Sequence, residues 1–169
     1  WIGSGNSIIN YSLNNHLQPK EYRITQLNNQ TDITSLCQDY YGNIWIGTMG
    51  KGIFVFDPET GNYRSLSEVE NTNILSITAK DKSVCIGSLE GAIIVELNEK
   101  NATINTKYNF TGFNASIGSH YIYQVFKDSK NRFWFGTDGK GITVLDNDKY
   151  TNYSDHKLLK DDHIYSITE

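Results

Sequence analysis

One short phrase returns along this chain. Trp45-Ile46-Gly47-Thr48 comes back as Trp134-Phe135-Gly136-Thr137, more weakly as Cys85-Ile86-Gly87-Ser88, and at the start as Trp1-Ile2-Gly3-Ser4. The first residues of the four copies stand 44, 40 and 49 positions apart. An apolar pair spaced by three precedes each internal copy: Ile33 with Leu36, Ile74 with Ile77, Ile122 with Val125. The tail starts the pattern again with Ile164 and Ile167. A period of this length means supersecondary units that cannot bury an apolar face alone and must stack on their neighbours. The chain opens on Trp1 in mid-repeat and its single methionine is Met49, so it is expected to be a piece of a longer protein.

One unit can be read from residue 33 to residue 65. An apolar strand over 33–38 is followed by the turn Asp39-Tyr40-Tyr41-Gly42-Asn43, and a second strand spans 44–48. Met49-Gly50-Lys51-Gly52 turns into a third strand over 53–56, and 57–62 turns into a fourth starting at Tyr63. Two prolines in 169 residues, with plentiful Asn, Gly, Ile, Tyr and Thr, suit half-buried strands joined by tight turns. No stretch sustains an apolar period of 3.6, so helices have little claim. Four strands per repeat predict an all-β fold of β-propeller blades, each of four antiparallel strands. About four blade units are expected: a partial one over 1–32, then 33–73, 74–121 and 122–163, with 164–169 starting the next. That count would close a small four-bladed ring or form an arc of a larger one.

Each repeated residue has a structural reason. The large Trp1, Trp45 and Trp134 are expected to fill the wedge between blades, and an inner strand buried on both faces suits Leu36-Cys37 and Val125-Phe126. Gly3, Gly47, Gly87 and Gly136 leave room for a neighbouring backbone or ring. Asp39 and Asp128 open their turns by offering a carboxylate to loose amides. The third unit departs from the pattern: its first turn is one residue shorter, Lys80 stands where Asp is expected, Cys85 replaces Trp, and the stretch from Asn98 to Tyr121 is long. Such a break marks either function displacing symmetry or drift in a redundant blade.

Several chemistries are disfavoured. A net charge of −4 gives no footprint for nucleic acid, and no apolar run approaches the length of a membrane span. Cys37 and Cys85 read as buried small hydrophobes, with an inter-blade disulfide as the alternative. His16, His120, His156 and His163 are scattered without metal-ligand spacing, so neither metal nor cofactor is expected. Gly-Lys-Gly at 50–52 and 139–141 recurs with the repeat and lacks the Ser/Thr and helix of a phosphate loop. Asp161-Asp162-His163 has the composition of an acid–base cluster but sits in a polar inter-blade loop. Asn-x-Ser/Thr sequons at Asn29, Asn101, Asn109, Asn114 and Asn152 follow from an Asn-rich composition.

The pattern apolar-x-x-apolar-x-x-Asp-x-x-Gly-x-apolar-Trp-apolar-Gly-Thr-x-x-Gly-Gly-apolar resembles the two-component regulator propeller repeat. Residues 33–57 and 122–146 follow it well, 74–97 in part, and 1–11 in its second half; both good copies carry Gly-Lys-Gly in place of the adjacent pair. In this family, notably in gut Bacteroidetes, such repeats build two seven-bladed propellers followed by a β-sandwich, one transmembrane helix and a histidine kinase. The resemblance implies an arc of a seven-bladed ring in the periplasm, partnered by the remaining blades, the β-sandwich and a second copy of the parent. It implies oligosaccharide recognition relayed to the kinase, without catalysis, nucleic-acid contact or membrane insertion by this segment.

In a propeller, the turns between second and third strands share a face with the loops linking one blade to the next. Sugars need aromatic faces together with carboxylate, amide or basic groups. On that face Lys51, Glu90, His120, Tyr121, Asp138 and Lys140 are the expected ligand contacts, and Glu68, Glu70, Asp162 and His163 share it. An interaction or dimerisation scaffold, or a propeller lyase or glycosidase, are the competing readings.

Overall fold

The structure, a computed structural model, describes residues 1–11, 18–28, 31–100, 105–109, 117–154, 159 and 162–169. His16, His156, Asp161 and the sequon residues Asn29, Asn101 and Asn114 lie outside the described residues. Four antiparallel sheets follow one another along the chain. The first has three strands in the order β1 (Ile2–Ser4), β2 (Ser7–Asn10) and β3 (Lys20–Arg23). The second is β4 (Ile33–Gln38), β5 (Ile44–Thr48), β6 (Ile53–Phe56) and β7 (Tyr63–Ser65). The third is β8 (Ile74–Lys80), β9 (Ser83–Ser88), β10 (Gly91–Glu96) and β11 (Asn105–Asn109). The fourth is β12 (Ile122–Lys127), β13 (Phe133–Thr137), β14 (Ile142–Asp146) and β15 (Lys149–Tyr153). The fold is all-β, with four-stranded meanders as blades. A 3₁₀ turn at Ser67–Val69 is the sole helical element among the described residues, and none of their helices is long and apolar enough to cross a membrane.

The core lies between sheets. Trp45, Ile53 and Val55 of the second sheet pack with Ile77, Val84, Ile86, Ile93 and Val95 of the third. Cys85, Ala92 and Ile94 of the third pack with Ile122, Val125, Phe133 and Phe135 of the fourth. Ile8 of the first joins Ile44, Ile46, Phe54 and Phe56 of the second. Burial at about 25 cal/mol per Å² is therefore gained almost entirely at the seams, and no sheet is stable without its neighbour.

Each seam is built on the repeated glycine. A Cβ on Gly3 would fall 2.7 Å from the Ile33 Cγ2 methyl, and one on Gly47 would fall 2.6 Å from that of Ile74. At Gly87 the obstacle is Val125 Cγ1 at 2.9 Å, and at Gly136 it is Ile164 Cγ2 at 2.9 Å. The partner is thus an aliphatic methyl of the next inner strand, joined at Gly87 and Gly136 by a backbone oxygen, and no ring is involved. Gly52 and Gly141 are needed differently. Their φ values of +69° and +67° suit glycine, and added Cβ atoms would meet Val69 O at 2.0 Å and Tyr153 O at 2.5 Å.

The conserved geometry of the turns has its own chemistry. Asp39 Oδ1 accepts the Tyr41 and Asn43 amides, both at 2.9 Å, while Oδ2 accepts the Trp45 indole Nε1 at 2.9 Å. Asp128 repeats this with the Lys130 and Arg132 amides and the Trp134 indole, each at 2.9 Å. The turn carboxylate therefore also holds the wedge tryptophan. Trp45 is fully buried, but Trp134 is half-buried. β4 is half-buried along most of its length, against the expectation of burial on both faces. Among the described residues β1 pairs only with β2, and Ile2 is 53% exposed.

Candidate functional site

Every inner strand carries the same irregularity. The register slips between Ile33 and Ser35, between Ile74 and Ser76, and between Ile122 and Gln124. The extra residues are Thr34, Leu75 and Tyr123, freed from pairing by the bulge. Tyr165 holds the matching place in the tail, one after Ile164. The rings of Tyr123 and Tyr165 stack with centroids 5.0 Å apart and planes 22° apart, and Tyr165 is 67% exposed.

Asp138, at the end of β13, meets this pair. Its Oδ1 lies 3.0 Å from His163 Nε2, and its charge acts on the Tyr123 phenol. Partial desolvation, then the Asp138 charge, push the Tyr123 phenol up, which keeps it neutral and able to donate. The Asp138 amide donates to Tyr121 O at 3.1 Å, and Ser119 Oγ accepts the Tyr121 amide at 3.1 Å. Two further backbone bonds bring in the tail: Gly141 N to Asp162 O at 2.8 Å and Ile164 N to Thr137 O at 3.0 Å.

The expected contact residues distribute unevenly. Tyr121 and Asp138 are brought together, with exposed His120 beside them in sequence. Exposed Lys140 is adjacent: its stem lies 3.9 Å from where a Gly118 Cβ would be, and its amide donates to Thr137 Oγ1 at 3.2 Å. Lys51 stands on the β5–β6 turn and Glu90 on the β9–β10 turn, at corresponding places of other sheets and outside this cluster. Glu90 is half-buried, its Oε2 has no hydrogen-bond partner, and burial pushes its carboxyl up. Exposed Glu70 lies beside the Ser67–Val69 turn. Tyr123 and Tyr165 were missed by sequence reasoning. Aligning the inner strands would have found them, as the aromatic members of the column Thr34, Leu75, Tyr123, Tyr165.

Chemically, the cluster offers an aromatic face, a carboxylate and an imidazole on one surface. Among the described residues no three His, Cys, Asp or Glu side chains are grouped to hold a metal ion. The cysteines are free: Cys85 is buried and Cys37 half-buried.

Residues 26–50 and 116–139 match the family model described as two component regulator propeller. These two segments match the repeat of that family. No curated protein matches this chain. Solved structures do. The extracellular domain of BT4673 from B. thetaiotaomicron, described as a hybrid two component system, is 21% identical with a TM-score of 0.60. That alignment covers 84% of this chain and 19% of the other. The extracellular domain of BT3049 from the same organism, of the same description, is 22% identical with a TM-score of 0.52 over 69% of this chain and 16% of the other. These likenesses show the fold, and the chain spans about a fifth of the length of the structures it matches. The second matched repeat includes the bulged start of β12 and Asp138, so Tyr123 and Asp138 lie within it.

Proposed function

We propose that this chain is a non-catalytic stretch of the sensor propeller of a two-component signalling protein, recognising an oligosaccharide outside the cytoplasm. The reading rests on the stacked Tyr123–Tyr165 pair beside the Asp138–His163 pair, on the face where the second turns meet the inter-blade loops. A pyranose ring presents an apolar face to an exposed tyrosine while its hydroxyls donate to a carboxylate. In the parent protein the remaining blades, a β-sandwich and a second copy would carry this event to a histidine kinase. Binding shifts such an equilibrium only by its differential affinity for the two arrangements.

The test is calorimetric titration with neutral and acidic oligosaccharides, after a thermal-shift screen to choose them. Saturable binding with the sugar recovered intact is expected, weakened in Tyr121→Ala and Lys140→Ala and little changed in Lys51→Ala. Release of a cleaved or unsaturated product would move the case to an enzyme. Silence across the sugars would favour a scaffold.

A further inference from the structure

We infer that the sugar bound here spans the seam between two consecutive units and clamps residues 162–169 onto the fourth sheet, an inference that rests on the sugar-binding reading above. Both pairs of the site are split across that seam. Tyr123 and Asp138 belong to the fourth sheet, whereas Tyr165 and His163 belong to the segment that begins the next unit.

The earlier seams are built otherwise. In place of the tyrosines they have Thr34 and Leu75, and in place of Asp138 they have Met49 and Leu89. They are stitched by serines: Ser35 Oγ accepts the Ile77 amide at 3.0 Å, and Ser76 Oγ accepts the Val125 amide at 3.2 Å. Thr34 Oγ1 adds a bond to Ile74 O at 2.6 Å. Gln124 takes the serine's place in β12 and turns its amide to Val125 O at 3.0 Å, within its own strand. The last seam has thus exchanged a side-chain-to-backbone stitch for a stacked tyrosine pair and an Asp138–His163 pair. Groups that hold a seam and also face solvent are the groups a ligand can reinforce.

The chemistry selects the ligand class. A ring seated on the outer face of Tyr165 brings hydroxyls to the Asp138 carboxylate, which retains lone pairs after serving His163. The carboxylate of a uronic acid would be set against Asp138, so a neutral pyranose is favoured. Opening the seam would separate Tyr165 from Asp138 and release the sugar, so bound sugar must slow opening.

Amide hydrogen exchange on the full chain reads this directly, with tetrasaccharides of glucose, galactose, mannose and xylose and with tetragalacturonate as the acidic probe. The reporters are the Gly141 and Ile164 amides, which donate to Asp162 O and Thr137 O; the control is Gly52, whose amide donates to Thr72 O at 3.0 Å in an earlier seam. At about 100 times Kd, a binding neutral sugar should slow exchange at both reporters roughly tenfold to a hundredfold and leave Gly52 unchanged. Tyr165→Ala should abolish the slowing, and His163→Gln, a milder change on an exposed side chain, should reduce it. Binding by calorimetry with unchanged reporters, or with undiminished slowing in both variants, would overturn the clamp and leave the sugar-binding reading intact. Preferential binding of tetragalacturonate would overturn the neutral class. Failure of every sugar to bind would overturn both readings.

Discussion

The second and third sheets have the same strand order and opposite ways of closing their first turn. In the second, a five-residue turn is organised by Asp39, which is 7% exposed and holds two turn amides, the Asn43 side chain and the Trp45 indole. In the third, β8 and β9 are joined by Asp81-Lys82 alone, with Asp81 at φ +53°, and the indole position is Cys85. A hairpin this tight needs no carboxylate anchor, and Lys80 stands in the place of the aspartate. The buried polar contact reappears from another direction. Lys127, at the end of β12 and 8% exposed, reaches back so that Nζ donates to Ser83 Oγ at 3.1 Å and lies 3.6 Å from Asp81. Its ammonium also sits 5.4 Å from the Phe133 ring centroid. The first turn of one blade is therefore anchored from within, and that of the next is met from outside by Lys127. Losing aspartate and tryptophan together is one structural event, since each is the other's partner.

Truncating the wedge should separate the two blades most sharply. Trp45→Ala is expected to cost about 3–5 kcal/mol in urea unfolding, whereas Cys85→Ala should cost about 1. Equal losses would mean that the tryptophan is no more central than the residue that replaces it. Asp39→Asn comes next: it retains one acceptor but sets an amide against the Asn43 and Trp45 donors, and about 2 kcal/mol should be lost. The corresponding change Lys80→Asn should be nearly neutral.

Acid should loosen the Asp128 turn only at low pH. The backbone amide of Arg132, the Trp134 indole, the Arg132 guanidinium and the Lys130 amide outweigh burial and bring Asp128 down to about 2. An unfolded aspartate titrates at about 3.9. The stabilisation is therefore complete above that value and is lost as pH falls toward about 2. Tryptophan fluorescence between pH 5 and 2 should show this loss, and Asp128→Asn should flatten it; an unaltered profile would remove Asp128 from the account.

Lys127→Met should change stability by less than about 1 kcal/mol, because the stem remains packed and Asp81 is largely solvated. A loss of several kcal/mol would show that the ammonium itself closes the third blade. The smallest effect concerns the thiols. Burial, with the Asp39 charge second, pushes Cys37 up to about 12, and burial pushes Cys85 higher still. Neither should react with iodoacetamide at pH 8 until denaturant opens the seams, and labelling of the folded chain would show that they breathe.

Much of this fold was legible because the period places strands and turns without reference to tertiary contacts. The strand starts at Ile33, Ile44 and Ile53 coincide with those read from the repeat. The role of Asp39 was only half legible. A turn aspartate is recognised by its neighbours in sequence, but its bond to Trp45 depends on the hairpin folding the indole back. The tyrosine platform was less legible still. A bulge shifts side-chain phase by one residue, and nothing in the alternation of Ile122-Tyr123-Gln124-Val125 announces it. The placement of His163 against Asp138 needed the inter-unit geometry, since they are 25 residues apart.

The glycine seams carry a direction. In each, a bare patch on the second strand of one unit receives the methyl groups of the unit that follows, and the same exchange is repeated from Gly3 to Gly136. An added unit needs only to bring its own bare patch and its own leading isoleucine to join either neighbour. Array length is then a quantity that duplication can alter without redesigning any contact. Selection remains free to specialise one junction while the others keep the array together.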